Sequence, residues 1–93
     1  MAHIDIRREH GMSQEKALET ADSLARSLAS EYDMKYSWRG ATLDFHRAGV
    51  HGELRVLPNV LEIELKLGLL LRPFRGRIEQ EIERQLAQLT DAD

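Results

Sequence analysis

The sequence predicts an α+β fold in two layers, in which an antiparallel five-stranded sheet carries two helices on one face. Five segments alternate apolar and polar residues with the period of two that half-buried strands have. Two longer segments repeat apolar residues at helical spacing. Four of the strand-like segments follow one another through very short connections, which join antiparallel neighbours. The predicted order is β-α-β-β-β-β-α, in a single domain over residues 1–93.

Composition excludes several classes of protein. At 93 residues, with 42% apolar and 31% charged residues, the chain is typical of one globular domain. The absence of cysteine rules out disulfides, a thiolate zinc site and a cysteine nucleophile. A net charge of −3 argues against nucleic acid as a partner. Residues 1–5 do not resemble a signal peptide and no apolar run could span a membrane, so we expect a cytoplasmic protein.

The first strand and the first helix follow from local patterns. Residues 3–9 alternate, with Ile4 and Ile6 on one side, until Gly11 ends the pattern. Ser13 is a suitable N-cap for the helix that follows. One apolar stripe then runs through Ala17, Leu18, Ala21, Leu24, Ala25, Leu28 and Tyr32.

The next four strands form successive hairpins whose register can be predicted. Two-residue turns place Tyr36 opposite Phe45, and Leu43 opposite Leu54. All apolar residues then share one side, whereas a slip of one residue would move a whole strand to the other side. Gly52, opposite Phe45, leaves room for that ring or for a helix on the sheet. We expect the first strand to pair with the last. The predicted turns are residues 40–41, 48–49 and 58–59.

The second helix follows directly on the last strand. Pro73 suits the first helical position, since it has no N–H to leave unpaired there. Helical spacing continues through Phe74, Ile78, Ile82, Leu86 and Leu89.

Catalysis and metal binding find little support. The chain has no nucleophile elbow, no HExxH motif, no phosphate loop and no GxGxxG motif, so we predict neither catalytic residues nor a cofactor. His46 and His51 should face each other on the polar side of the sheet. Zinc normally takes more protein ligands than two, so the pattern favours a solvated pair over a metal site.

A leucine-rich and arginine-rich stretch is the strongest candidate for a binding site. Alternation fails at residues 67–71, where the leucines cannot all face a one-sided core. They either enter a buried helix start or form an exposed apolar edge for a partner. Arginines at the start of the second helix oppose its dipole, so they are either solvated or meet an anion. The candidate anions are a carboxylate such as Asp91, the acidic face of a partner, or a phosphate head group. The candidate binding residues are Leu69, Leu70, Leu71, Arg72, Arg75 and Arg77.

Three stretches resemble a known family. They are HIDIRREHG at residues 3–11, YSWRG at residues 36–40 and LGLLLRPFRGRIEQEI at residues 67–82. The chain resembles the polyhydroxyalkanoic acid (PHA) system family of small bacterial cytoplasmic proteins over essentially its whole length. This resemblance implies a role with the storage polyester and its granules, but it carries over no enzymatic activity and no site residues.

Two functions remain open from the sequence. The first is a non-enzymatic protein that docks an apolar edge and an arginine cluster on a PHA granule surface or on a PHA-system protein. The second is a small carrier of an apolar or acyl ligand, held between sheet and helices. A polar sheet face and an apolar edge also permit a homodimer. The carrier's pocket would be lined by Tyr36, Trp38, Phe45 and Leu65.

Overall fold

A computed structural model describes residues 2–90 and confirms the predicted order of strands and helices. A short 3₁₀ helix separates the last strand from the second α-helix. The elements are β1 (Ala2–Glu9), α1 (Gln14–Tyr32), β2 (Lys35–Arg39), β3 (Thr42–Arg47), β4 (Val50–Val56), β5 (Val60–Leu67), the 3₁₀ helix (Leu69–Phe74) and α2 (Arg75–Thr90).

The five strands form one antiparallel sheet in the order β1-β5-β4-β3-β2. The first strand pairs with the last, as predicted, so β5 lies between β1 and β4. The hairpin registers are also confirmed, with Tyr36 opposite Phe45 and Leu43 opposite Leu54. The registers agree because two-residue turns and the alternation of apolar residues both restrict the pairing to one choice.

The first helix begins and ends where local chemistry satisfies its backbone. The side-chain oxygen of Ser13 accepts a hydrogen bond from the Lys16 N–H at 3.1 Å, which confirms Ser13 as the N-cap. The helix ends after Tyr32 as Asp33 turns into the left-handed region, with φ of 55°. Its buried face is formed by Ala17, Thr20, Ala21, Leu24, Ala25 and Leu28.

Both helices cover the same face of the sheet. The buried core joins Leu24 of α1 and Ile82 of α2 to inward residues of the strands. On β2, Tyr36 and Trp38 are partly buried against this core. The strand residues of the core are Ile4, Ile6, Leu43, Phe45, Val50, Leu54, Val56, Leu61, Ile63, Leu65 and Leu67.

The other face of the sheet carries a network of ion pairs. Arg55 on β4 lies 3.0 Å from Glu53 on its own strand and 3.2 Å from Glu62 on β5. Arg39 on β2 pairs with Asp44 and Glu53. All five side chains are at least one-fifth exposed to solvent. The pairs therefore fix side-chain positions across the strands but contribute little to stability individually.

The side chain of Leu65 fills the space beside Gly52, where the sequence suggested the Phe45 ring or a helix. A Cβ atom at Gly52 would lie 2.1 Å from Leu65 Cδ2 and 2.6 Å from the Glu64 carbonyl oxygen. Neither the Phe45 ring nor a helix is the nearest group. Leu65 is the partner of Gly52 across the β4–β5 pair, and its side chain lies over the glycine.

The start of α2 corrects one prediction. Pro73 lies inside the 3₁₀ helix, and α2 begins two residues later at Arg75. The Leu71 N–H donates to the Gly68 carbonyl at 3.1 Å, and the Arg75 N–H donates to the Arg72 carbonyl. These bonds span three residues, so the chain winds more tightly here before the α-helix starts.

Candidate functional site

The leucine–arginine segment, residues 69–77, consists of the 3₁₀ helix and the first residues of α2. Just before it, the Gly68 N–H donates to the Gly49 carbonyl at 2.7 Å, which joins the chain to the turn between β3 and β4. Within it, Arg75 Nε donates to the His3 carbonyl of β1 at 2.8 Å. The segment is therefore attached to the sheet at two separate points.

Three apolar side chains of this segment face solvent. Leu69 is 76% exposed and Leu70 is 90% exposed, and Phe74, one turn further on, is 47% exposed. We call these three residues the exposed patch. Leu71 differs, because it is partly buried and packs against the core. The sequence analysis grouped Leu71 with Leu69 and Leu70 as candidate binding residues, but the winding of the 3₁₀ helix turns Leu71 towards the core.

The three arginines of the segment have different surroundings. Arg75 forms an ion pair with Glu79 at 3.7 Å in addition to its bond to β1. Arg72 and Arg77 are exposed, and within residues 2–90 their guanidinium groups have no salt bridge or side-chain hydrogen bond. Asp91, which the sequence offered as an anion, lies outside the described residues. Two cations thus flank the exposed patch.

A groove of about 400 Å³ opens beside the segment, where α1 ends and α2 begins. We call it the α1–α2 groove. Its walls are mostly apolar and come from both helices, the ends of β4 and β5, and the 3₁₀ helix. Arg77 and Leu71 border it, so the groove and the leucine–arginine segment share residues. The apolar lining residues are Leu28, Met34, Val50, Leu65, Leu67, Leu71, Phe74, Ile78 and Ile82.

Polar groups gather at one part of the groove around Tyr32. Burial raises the pKa of the Tyr32 hydroxyl first, and Glu31 and Glu81 raise it further, while Arg77 acts in the opposite direction. Arg47 also borders the groove and donates to the Tyr32 carbonyl at 2.6 Å. The lining of the groove is therefore mostly apolar, with one region that contains both acidic and basic side chains.

The four residues predicted to line an acyl pocket are not gathered around this groove. Leu65 borders it, whereas Phe45 is fully buried and Tyr36 packs partly buried against the core. Trp38 lies in a separate open depression and donates from Nε1 to Asp22 at 3.0 Å. The aromatic residues fill and border the core on β2 and β3, and the groove lies where α1 ends and α2 begins. Sequence reasoning missed it because its walls come from distant parts of the chain.

The histidine pair lies where the sequence placed it. His46 and His51 are opposite each other on β3 and β4, and both are exposed. Across residues 2–90, no group of three or more His, Cys, Asp or Glu side chains is arranged to hold a metal ion.

Comparison with known proteins identifies the family. One family model, described as putative polyhydroxyalkanoic acid system protein, matches residues 4–89. The chain belongs to this family. The match with the PHA system family includes the exposed patch, the arginines and the α1–α2 groove. None of the curated proteins matches the chain.

The description of the matching family names no enzymatic activity. In the part of the chain that the structure describes, no helix is long and apolar enough to cross a membrane.

Proposed function

We propose that this chain attaches to the surface of polyhydroxyalkanoate granules through the exposed patch, and that it acts there as a binding protein without catalysis. The observation that carries the proposal is the position of Leu69 and Leu70, which are 76% and 90% exposed. Beside them, Arg72 and Arg77 form no salt bridge or side-chain hydrogen bond with any residue between 2 and 90. Membership of the PHA system family supports the choice of the polymer as the occupant.

The chemistry of the exposed patch suits the surface of a polyester. Moving a leucine or phenylalanine side chain fully out of water contributes roughly 1.5–3 kcal/mol. Leu69, Leu70 and Phe74 together therefore support reversible attachment to an apolar surface. Arg72 and Arg77 can donate hydrogen bonds to ester carbonyl groups or to anionic groups at that surface. Apolar side chains flanked by cations are typical of segments that bind at an interface.

Two other occupants would use the same residues. A PHA-system protein on the granule, or a second copy of this chain, could cover the exposed patch. We favour the polymer because the patch is small and formed by three side chains, whereas a stable protein interface buries about 800 Å² on each partner.

The test is sedimentation of the purified protein with protein-free polyhydroxyalkanoate particles. We expect the wild-type protein to sediment with the particles and Leu70→Asp to remain in the supernatant, because the carboxylate must lose its water to enter an apolar surface. Leu57→Asp is the matched control, since Leu57 is also exposed, at 37%, but lies in the turn between β4 and β5. This control should still sediment with the particles.

Arg72→Glu tests the contribution of the cations. We expect it to weaken attachment, whereas Lys16→Glu, an exposed cation on α1, should leave attachment unchanged. The proposal is wrong if the wild-type protein stays in the supernatant, or if Leu70→Asp binds as well as Leu57→Asp. Attachment only to particles that carry granule proteins would indicate a protein partner instead. A dimer that Leu70→Asp dissociates, with no polymer binding, would indicate a second copy.

A further inference from the structure

The α1–α2 groove has the size and lining of a site for one small molecule. Its volume of about 400 Å³ lies within the range of roughly 300–1,000 Å³ that is typical of ligand sites. Leu28 on α1, Leu67 on β5 and Ile82 on α2 are fully buried and form part of its lining. An unbranched aliphatic chain matches such walls, because it needs no hydrogen-bond partner along its length.

The charged region of the groove favours a ligand with an anionic end. Two arginines and two glutamates border the groove. Glu81 already accepts hydrogen bonds from Arg84 and from Gln85, the latter at 2.9 Å, and these bonds together with nearby arginines lower its pKa. The two hydrogen-bond donors of Glu81, Arg84 and Gln85, lie outside the groove and are the main causes of its lowered pKa, whereas Arg77 contributes least.

The two arginines that border the groove have N–H groups available to bind a ligand. Arg77 has no salt bridge or side-chain hydrogen bond to any residue between 2 and 90. Arg47 donates one bond, to the Tyr32 carbonyl, and its other N–H groups remain for a ligand. Glu31 is left as the opposing carboxylate, 3.5 Å from Gln85. Against one such carboxylate, two guanidinium groups leave an excess of positive charge.

We infer that the α1–α2 groove binds the hydrocarbon chain of a single aliphatic carboxylate, whose head group is held by Arg77 and Arg47. This site opens beside the exposed patch and shares Phe74 with it, and binding there goes beyond attachment to a granule. The ligand class is a fatty or hydroxyalkanoic acid of medium length. A guanidinium group binds a carboxylate through two parallel N–H donors, which gives the head group a defined position.

Calorimetric titration with octanoate tests the inference, and 1-octanol serves as the uncharged comparison. We expect octanoate to bind, and Arg77→Gln to lower its affinity about tenfold, since one charge-assisted hydrogen bond is lost. The affinity for 1-octanol should not change in this variant. Arg72→Gln is the matched control, because Arg72 does not border the groove. It should bind octanoate as the wild-type protein does.

Val50→Phe tests the position of the hydrocarbon chain. The added ring would occupy the groove from the start of β4, so octanoate binding should be lost while circular dichroism shows a folded protein. If this variant does not fold, Arg77→Gln decides the matter alone, since Arg77 is exposed and its replacement leaves the core intact.

The two proposals fail separately. Leu70→Asp should lose attachment to polymer particles but keep octanoate binding, and Val50→Phe should do the reverse. The inference is wrong if octanoate does not bind, if Arg77→Gln and Arg72→Gln weaken it equally, or if Leu70→Asp abolishes it. That last result would place the ligand on the exposed patch.

Discussion

At the scale of single residues, close packing in the sheet depends on a glycine. Gly52 sits under the Leu65 side chain, and the nearest atoms would lie 2.1 Å and 2.6 Å from a Cβ atom. One of these atoms belongs to the backbone of β5 and cannot move without shifting the strand. The leucine is itself fully buried and borders the α1–α2 groove. The glycine therefore sets how close Leu65 lies to the sheet.

We expect Gly52→Ala to lower the free energy of unfolding by about 1–3 kcal/mol, the usual cost of overpacking a core. Urea denaturation monitored by circular dichroism measures this change. Gly11→Ala is the matched control, because no atom lies within 4 Å of the added Cβ there. A midpoint for Gly52→Ala that equals that of Gly11→Ala would contradict this account of the packing.

At the scale of elements, the hairpin of β2 and β3 carries a two-point ion pair on its outer face. Arg39 donates from two nitrogens to the two carboxylate oxygens of Asp44, each at 3.2 Å. The hydrogen bond from Arg39 is the largest cause that lowers the pKa of Asp44, and it outweighs the opposite effect of burial. Asp44 therefore stays ionised to a lower pH in the folded protein than in the unfolded chain.

This lowered pKa predicts a dependence of stability on pH. The stabilisation by Asp44 is fully present above about pH 4, the usual pKa of an aspartate, and is lost as the pH falls through the lowered pKa of the folded state. Arg39→Gln should therefore reduce the free energy of unfolding at neutral pH, and the difference from wild type should shrink on acidification. The carboxyl pKa of Asp44, followed by NMR, should rise in this variant.

Lys35→Gln is the control for this prediction, since Lys35 is an exposed cation on the same strand. It should leave the pKa of Asp44 in place. If the Asp44 pKa is the same in Arg39→Gln and wild type, the ion pair does not form in solution.

The elements differ in how far the sequence predicts them. Hairpin registers follow from the sequence because two-residue turns and strict alternation leave one arrangement that keeps apolar residues together. The 3₁₀ helix cannot be predicted in the same way. Residues 69–74 have the apolar content of a strand end, and their proline also suits the start of an α-helix. Its tighter winding is what separates Leu71, which faces inward, from Leu70, which faces solvent. Local pattern alone does not carry that distinction.

At the scale of the whole molecule, one core joins the sheet to both helices, and this predicts cooperative unfolding. Leu24 of α1 is fully buried in that core. We expect Leu24→Ala to lower the free energy of unfolding by about 2–5 kcal/mol, a large part of the roughly 5–15 kcal/mol that holds a typical domain together. Fluorescence of Trp38 and far-ultraviolet circular dichroism should show the same, earlier transition in urea.

Leu70→Ala is the matched control, since Leu70 is 90% exposed and its truncation should change stability by at most about 0.5 kcal/mol. Equal losses in the two variants would mean that Leu24 is not packed as described. Transitions that differ between the two probes would mean that helices and sheet unfold separately.

The candidate site, unlike the sheet, is only half predictable from the sequence. Leu69 and Leu70 lie where the alternation breaks, at residues 67–71, and Arg72, Phe74 and Arg77 follow within six residues, so the sequence draws attention to this segment. The α1–α2 groove joins residues from Leu28 to Ile82, and its walls meet only after the sheet and both helices have formed. A cavity of this kind depends on how far two helix ends stand apart, which periodicity does not encode.

The placement of β5 inside the sheet has a mechanical consequence for attachment. This strand is hydrogen-bonded to β1 on one side and β4 on the other, and the exposed patch follows directly from its end. Were the protein held by that patch while drag acted on the rest, the load would enter through a strand secured along both flanks. Pulling out such a strand requires breaking its hydrogen bonds to two neighbours at once, whereas an edge strand is bonded to only one neighbour. Attachment through the exposed patch would therefore load the molecule at a strand that two neighbours hold.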